Sequence, residues 1–305
     1  MAERTTLVKV EGRTLKLSNM DKVLYPETGF SKGQVIDYYV RVAPVILPHL
    51  AGRPVTLRRY PDGVDGESFY EKNAPRHAPA WVRTARVPTP GSTKGTDHAD
   101  FVLIEDLPTL VWVANLAALE LHIPQWTAAP GDGRTEPDLL VFDLDPGEPA
   151  DVVACCRVAE SLREELAEDG LTAFPKTSGS KGLQLYAPVT VTESGHTSAY
   201  AKALAERLAR AHPKTVLASM AKARRTGKVF IDWSQNNPAK TTVAPYSLRA
   251  RPWPTVSTPL TWEEVEGCRA RDDLVFTADE VRVRVEESGD LLGELHGEHV
   301  RLPLP

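Results

Sequence analysis

Leu139-Leu140-Val141-Phe142-Asp143-Leu144-Asp145-Pro146 is an apolar run that ends in two carboxylates two residues apart. Side chains of a strand alternate between its faces, so Asp143 and Asp145 share one face. A third acid, Asp232, closes a second apolar run, Val229-Phe230-Ile231-Asp232-Trp233. Between Arg207 and Trp262 it is the only acid, set among ten bases that run from Arg207 to Arg251. Hard divalent cations take carboxylate oxygens, and an anionic substrate takes lysine and arginine. The combination points to a metal that works on phosphates.

Outward from that run the pattern is regular. A strand over 138–144 is followed by a helix from Ala150 to Glu168, stopped by Gly170 as a C′ glycine. Strands over Leu171–Thr177 and Leu183–Val189, a helix over Thr197–Ala211 and a strand over Lys228–Trp233 complete the order β-α-β-β-α-β. In that ferredoxin-like topology the first strand lies between the third and the fourth. Asp232 is therefore expected beside Asp143 and Asp145. D-x-D alone is common, as a solvated strand end or a sugar-nucleotide transferase motif. The predicted convergence with Asp232 favours a two-metal site, whose ions need a small carboxylate cluster. Without ions three such groups would repel one another.

The N-terminal part alternates strands and helices. Ser31-Lys32-Gly33-Gln34 is a capping box opening a helix through Tyr39 and Val42. Pro54–Tyr60 alternates as a strand, with Thr56, Arg58 and Tyr60 on one face. Phe101–Ile104 reads as a short strand, and Asp106 as the cap of an apolar helix ending near Leu121. Gly91–Thr96 reads as a loop or turn. Turn-rich residues from Gly131 to Pro137 suggest a module boundary.

The chain has 305 residues and a net charge of −5, which by itself does not suggest nucleic acid. From Glu263 onward twelve acids face five bases, so the tail masks a basic middle. Three cysteines without a C-x-x-C pair argue against a zinc site or a disulfide framework. The N-terminus lacks an apolar signal core. The longest apolar stretch, near Leu110–Leu121, is broken by Asn115 and Glu120 and is too short for a membrane span. A cytoplasmic, nucleoid-associated protein is expected.

Several candidates have plainer readings beside the functional one. Thr177-Ser178-Gly179-Ser180-Lys181-Gly182 is a hairpin turn or a triphosphate cradle; it is not a Walker A loop, because no helix follows. His122, between apolar neighbours, reads by default as a buried structural histidine. Arg225 is part of a solvated basic run or a phosphate contact ahead of Asp232. Phe69 and Tyr70, beside Glu71 and Lys72, are core or a stacking platform for bases. His296 and His299 do not form H-E-x-x-H and read as surface.

Taken with Asn19-Met20-Asp21-Lys22-Val23-Leu24-Tyr25-Pro26, His122-Ile123-Pro124-Gln125-Trp126, Asp232-Trp233-Ser234-Gln235-Asn236 and the run Lys240–Arg249, these motifs resemble the polymerase domain of bacterial ligase D, within the archaeo-eukaryotic primase superfamily. The resemblance spans about Asn19 to Leu292. It implies an α+β primase-polymerase fold, with an N-terminal α/β module packed on a βαββαβ (RRM/ferredoxin-like) catalytic module. As one domain over 1–305, the modules would be 1–135 for DNA ends and template, 136–262 for catalysis, and a helical tail over 263–305. It further implies template-directed addition of nucleotides, often ribonucleotides, to DNA 3′ ends in gap filling and non-homologous end joining. Asp143, Asp145 and Asp232 would hold two divalent ions, Mn²⁺ or Mg²⁺. Arg58, His122, Ser178, Lys181, Arg225, Gln235 and Arg249 would surround the incoming NTP or dNTP. Asn19, Lys22 and Lys32 match a 5′-phosphate site at a gapped, overhanging or broken end, and Phe69 and Tyr70 match a template-stacking pair. Ku and a DNA ligase are the implied protein partners, and no membrane is involved. One position departs: Gln184 stands where relatives commonly carry histidine. No lysine begins the K-x-D-G signature of a DNA ligase. A nuclease or phosphohydrolase built on the same carboxylates, or a non-catalytic DNA-end binding module, are the alternative readings.

Overall fold

The computed structural model describes residues 5–89, 97–131 and 133–304, which leaves the expected turn at Gly91–Thr96 outside the described residues. The chain divides into two compact units. The first comprises residues 1–134, 243–256 and 277–289; the second comprises 135–242, 257–276 and 290–305.

In the first unit β1 (Thr5–Val10) pairs with β2 (Arg13–Ser18), and β3 (Val23–Tyr25) with β4 (Phe30–Ser31). Next come α1 (Lys32–Leu50), β5 (Pro54–Arg59), β6 (Phe69–Glu71), β7 (Thr84–Pro88), β8 (His98–Leu103), α2 (Leu107–Asn115) and β9 (Ala118–Ile123). The larger sheet runs β9-β5-β8-β7, with β6 also on β5. The capping box that opens α1 is formed: Ser31 accepts from the Gln34 N–H, and the Gln34 side chain accepts from the Ser31 N–H. Burial of Val45, Ile46 and Leu50 carries the helix two turns past Val42 in spite of Pro44 and Pro48.

The helix expected to end near Leu121 stops instead at Asn115. Ala117 takes a left-handed φ of 56°, and residues 118–123 continue as a fully buried strand. The reversal is held by Arg59, whose Nε donates to the Leu116 carbonyl at 2.9 Å, and by the Tyr60 N–H, which donates to the Ala117 carbonyl at 2.8 Å. A run buried on every side has no periodicity to separate helix from strand.

The second unit holds β10 (Leu139–Pro146), α3 (Val152–Glu168), β11 (Phe174–Thr177), β12 (Leu183–Thr190), α4 (His196–Ala211), β13 (Val216–Leu217) and β14 (Val229–Asp232). β15 (Thr242–Val243), α5 (Trp262–Gly267), α6 (Ala278–Ser288) and β16 (Val300–Arg301) follow. Of these, α6 returns to the first unit, where it packs on α1, and Val243 of β15 belongs to that unit's sheet beside β9. The sheet order β11-β12-β10-β14 is that of the β-α-β-β-α-β unit, extended by the short β13 on β14 and by β16 on β12. Strand β11 begins at Phe174, later than expected. The Leu171 N–H donates back to the Leu166 carbonyl at 2.8 Å and spends those residues on closing α3. Among the described residues no helix is long and apolar enough to cross a membrane.

Alternation divides β10 cleanly. Leu140, Phe142 and Leu144 join α3 and α4 in the main core through Cys156, Leu162, Ala201 and Leu204. Leu139 and Val141 lie on the other face, with Tyr186, Leu292 and Leu295, and there the chain continues into Asp143 and Asp145. Gly182 lets the β11–β12 turn close against this strand: a Cβ at that position would lie 1.9 Å from the Leu144 carbonyl oxygen. Gly182→Ala is expected to lower stability by roughly 1–3 kcal/mol in urea unfolding, as overpacking against backbone does. Gly267→Ala, at the open end of α5, should leave stability unchanged or raise it slightly. Equal midpoints for the two variants would refute the close approach at Gly182.

Candidate functional site

Asp143 and Asp232 are direct partners across β10 and β14, and Asp145 lies two residues on, on the same face as Asp143. Burial, followed by the neighbouring charge of Asp145, pushes the Asp143 carboxyl well above the usual carboxylate range, and Asp232 adds to the push. The Gln184 amide opposes it, donating to Asp143 Oδ1 at 3.0 Å. Burial also raises Asp145, against the nearby Arg225, whose Nη1 stands 3.7 Å from Oδ2. Asp232 is the best supported of the three. It accepts the Ser234 N–H at 3.0 Å and the Gln235 Nε2 at 3.1 Å, and Lys240 Nζ stands 4.0 Å from Oδ2. Three carboxylates on one sheet face, with Arg225 and Lys240 only at 3.7 and 4.0 Å from two of them, have the oxygen-donor chemistry that hard divalent cations select. The residues present fit such ions.

The turn after β11 holds Ser178 and Lys181. Ser178 Oγ accepts the N–H groups of Ser180 and Gly182, at 3.3 and 3.2 Å, which shapes the turn and leaves the hydroxyl proton to give away. Lys181 Nζ meets Glu148 at 3.3 Å, both side chains being well exposed. Such surface pairs contribute little, so the ammonium can exchange partners easily. Arg225 stacks its guanidinium 4.0 Å from the Phe230 ring centroid, and its Nε is buried without a hydrogen-bond acceptor among the described residues. The second unit thus brings Asp143, Asp145, Asp232, Arg225 and Gln235 together.

The first unit gathers a second set. Arg58 on β5 lies opposite Tyr70 on β6 and Glu120 on β9, with His122 two residues beyond Glu120. Glu120, 1% exposed, accepts from His122 Nε2 at 2.9 Å, from Arg58 Nη1 at 3.4 Å and from the Ala250 N–H at 3.1 Å, and Arg249 Nε stands 3.4 Å away. Burial disfavours its charge, yet His122, Arg249 and the Ala250 amide outweigh it and hold the carboxyl down to about 2. Burial first, then the two arginines, lower His122 against the pull of Glu120. Tyr70 meets His122 edge-on at 5.6 Å and lies 5.2 Å from the Arg58 guanidinium. Phe69 points to the opposite face, onto Arg59, as neighbours in a strand must. Both aromatics are exposed, at 44% and 53%.

Asn19, Lys22 and Lys32 line one cleft of about 670 Å³ in the same unit, together with Lys16, Arg59 and His77. Asn19 adopts a left-handed φ of 51°, which asparagine tolerates well. Lys32 is buried and donates to the Ser18 carbonyl at 2.7 Å; Lys22 pairs with the exposed Asp62 at 2.7 Å.

Residues 31–292 match the family model described as LigD, primase-polymerase domain. The chain belongs to that family. A solved LigD-family structure, the polymerase domain from Mycobacterium tuberculosis ligase D in complex with DNA, superposes with a TM-score of 0.87 at 44% identity, covering 93% of this chain and 99% of that one. The multifunctional non-homologous end joining protein LigD of Mycolicibacterium smegmatis is 45% identical over 282 residues, 92% of this chain and 36% of the relative. The bifunctional LigD of Bacillus subtilis is 32% identical over 277 residues, 90% of this chain and 43% of the relative. The chain therefore spans well under half the length of these relatives. The α+β class expected from the sequence is the class of the LigD polymerase fold.

Glu120 was not singled out by sequence reading. Once 118–123 is a strand rather than a helix, Glu120 joins His122 as its alternating polar positions, and that alternation is the signal that would have found Glu120. Its ionised form is favoured by folding, so its contribution is whole above about pH 5 and is lost as pH falls from 4.5 toward 2. A carboxyl held that low corresponds to roughly 3 kcal/mol. Glu120→Gln should therefore destabilise the LigD-family fold at neutral pH in denaturant titrations, and the gap to wild type should close as pH drops from about 5 to 3. A gap of constant size would show that the carboxylate charge is not what Glu120 contributes.

Proposed function

We propose that this chain is a metal-dependent, template-directed nucleotidyltransferase that adds nucleotides, ribonucleotides preferred, to DNA 3′ ends during gap filling and end joining. The observation that carries the reading is the placement of Asp143, Asp145 and Asp232 on one face of a four-strand row, flanked by Arg225 and Lys240. The three aspartates hold two divalent cations, Mn²⁺ or Mg²⁺. When bound, such a pair lowers the pKa of an attacking 3′-hydroxyl and neutralises the departing pyrophosphate.

The remaining roles belong to the chain's own side chains. Asp232 is held in one rotamer by Ser234 and Gln235, so that its orientation is set before any ligand arrives. Ser178, Lys181, Arg225 and Gln235 contact the incoming nucleotide. In the first unit Arg58, His122 and Arg249 are assigned to nucleotide contacts as well: two arginines share one buried glutamate, so positive charge remains for an anion. Tyr70 and Phe69 offer exposed rings for template bases. Asn19, Lys22 and Lys32 form the 5′-phosphate site, supported by the cationic lining of their cleft. In this reading the first unit serves DNA ends and template, the second serves chemistry, and Ku and a DNA ligase act on the same ends in the cytoplasm, at the nucleoid.

One assay on gapped DNA, run with each NTP and dNTP in Mn²⁺ or Mg²⁺, tests the reading. Primer extension, faster with NTPs, is the expected outcome, and Asp143→Ala, Asp145→Ala or Asp232→Ala should abolish it while DNA binding, which rests on lysine and arginine, is largely spared. Primer shortening would make the chain a nuclease, and binding without any product would make it an end-binding module.

The end site has its own test. A 5′-phosphate at the gap should tighten binding by about tenfold, the effect of one charge-assisted hydrogen bond of roughly 1.5 kcal/mol. Lys22→Ala should lose most of that preference, with activity on simple primer-templates little changed. An equal preference in mutant and wild type would make Lys22 ordinary surface charge.

A further inference from the structure

One row of side chains in the second unit is polar from strand to strand. Lys176 on β11 stands opposite Gln184 on β12, Gln184 opposite Asp143 on β10, and Asp143 opposite Asp232 on β14. Directly opposed residues share a face, here the face turned away from the α3 and α4 core. Lys176 is fully buried and Gln184 is 4% exposed.

An ammonium can only donate. Lys176 Nζ gives one hydrogen bond to Gln184 Oε1 at 2.6 Å and one to Ser257 Oγ at 2.5 Å. The Tyr186 hydroxyl donates to the same Oε1 at 3.3 Å. With its oxygen so occupied, the Gln184 amide turns its nitrogen to Asp143 and donates to Oδ1 at 3.0 Å. A flipped amide would set NH₂ against an ammonium and a carbonyl against a carboxylate, so the orientation is fixed by chemistry rather than by packing.

We propose that Gln184, locked by the buried Lys176, is a positioning residue for the metal site: it holds Asp143 through Oδ1 and leaves Oδ2 for a divalent cation. The proposal rests on the reading that the aspartates bind metal. The charge of Lys176 is spent on orienting an amide, and the amide orients the acid. Few side chains can serve both neighbours. Leucine serves neither. A neutral imidazole can give one N–H to Asp143 and accept from Lys176 with its other nitrogen.

Calorimetric titration of the chain with MnCl₂, without nucleotide or DNA, tests this apart from activity. Gln184→Leu should weaken Mn²⁺ binding by about tenfold or more, the usual effect of removing a partner that orients a metal ligand. Lys176→Met should act in the same direction, and the double variant should bind no more weakly than Gln184→Leu, because both act through one bond. Gln184→His should restore binding close to wild type, which a purely structural role would not predict. In extension assays Gln184→Leu should raise the Mn²⁺ concentration needed for half-maximal rate while kcat is regained at saturating metal. Circular dichroism and thermal unfolding establish that each variant is folded, and Gln184→Asn, too short to span both neighbours, replaces the leucine variant if that one unfolds. Wild-type Mn²⁺ affinity in a folded Gln184→Leu or Gln184→Asn overturns the proposal, and so does failure of Gln184→His to restore it. Asp143→Asn separates the two readings: loss of Mn²⁺ binding there keeps the aspartates as the metal site whatever Gln184 does, and wild-type binding there removes both.

Discussion

Like charges in a poorly hydrated place must be compensated or neutralised, and the second unit is organised around that constraint. Its three aspartates are compensated in three different ways. Asp145 has a guanidinium across a gap, Asp232 has a nest of local donors with Lys240 behind them, and Asp143 has a neutral amide backed by a buried ammonium. None of these supplies a full counter-charge in direct contact. A cluster compensated only in part is stable enough to fold and, in the proposed reading, would still attract a cation. Full compensation by close arginine pairs would stabilise the protein further and close the site.

The first unit has the opposite balance. One buried acid, Glu120, answers Arg58, Arg249 and His122. Burial makes the glutamate costly and its partners make it worthwhile. The excess is positive, on side chains that remain partly exposed, with Arg58 at 31% and Arg249 at 17% of side-chain surface. The overall net charge of −5 conceals this local positive excess. The acidic residues after Glu263 do not form one screening tail either. Those of α6 belong to the first unit beside α1, while those of α5 belong to the second.

What could be read from sequence was whatever obeys a local rule. Period-two alternation in β10 put Asp143 and Asp145 on one face, the capping box at Ser31 opened α1, and the element order placed β14 beside β10. What could not be read depended on neighbours far along the chain. The run from Leu110 to Ile123 is buried apart from Asn115 and Leu116, so its apolar residues did not mark where the helix ends, and the reversal at Ala117 is held by Arg59 and Tyr60 from the segment of β5. Missing that turn also hid Glu120. Lys176 had no signal at all: a lysine between Pro175 and Thr177 looks like a strand edge until Gln184 and Ser257 are seen to enclose it. Phe69 and Tyr70 were legible only as core or a stacking platform; their exposure and their separation onto Arg59 and Arg58 follow from the pairing of β6 with β5.

The site and the core are fixed by the same register. Because the side-chain period of a strand is two, sliding β10 by one residue would turn Leu140, Phe142 and Leu144 out of the α3–α4 core and drive Asp143 and Asp145 into it. Losing three large apolar side chains from the core costs several kcal/mol, and burying two carboxylates costs more. The alignment of Asp143 with Asp232 on one side and Gln184 on the other is thus enforced by residues that touch none of them. The acids need no attraction for one another to be brought together. The hydrophobic face of β10 imposes their proximity, and the Lys176–Gln184 row makes that proximity tolerable.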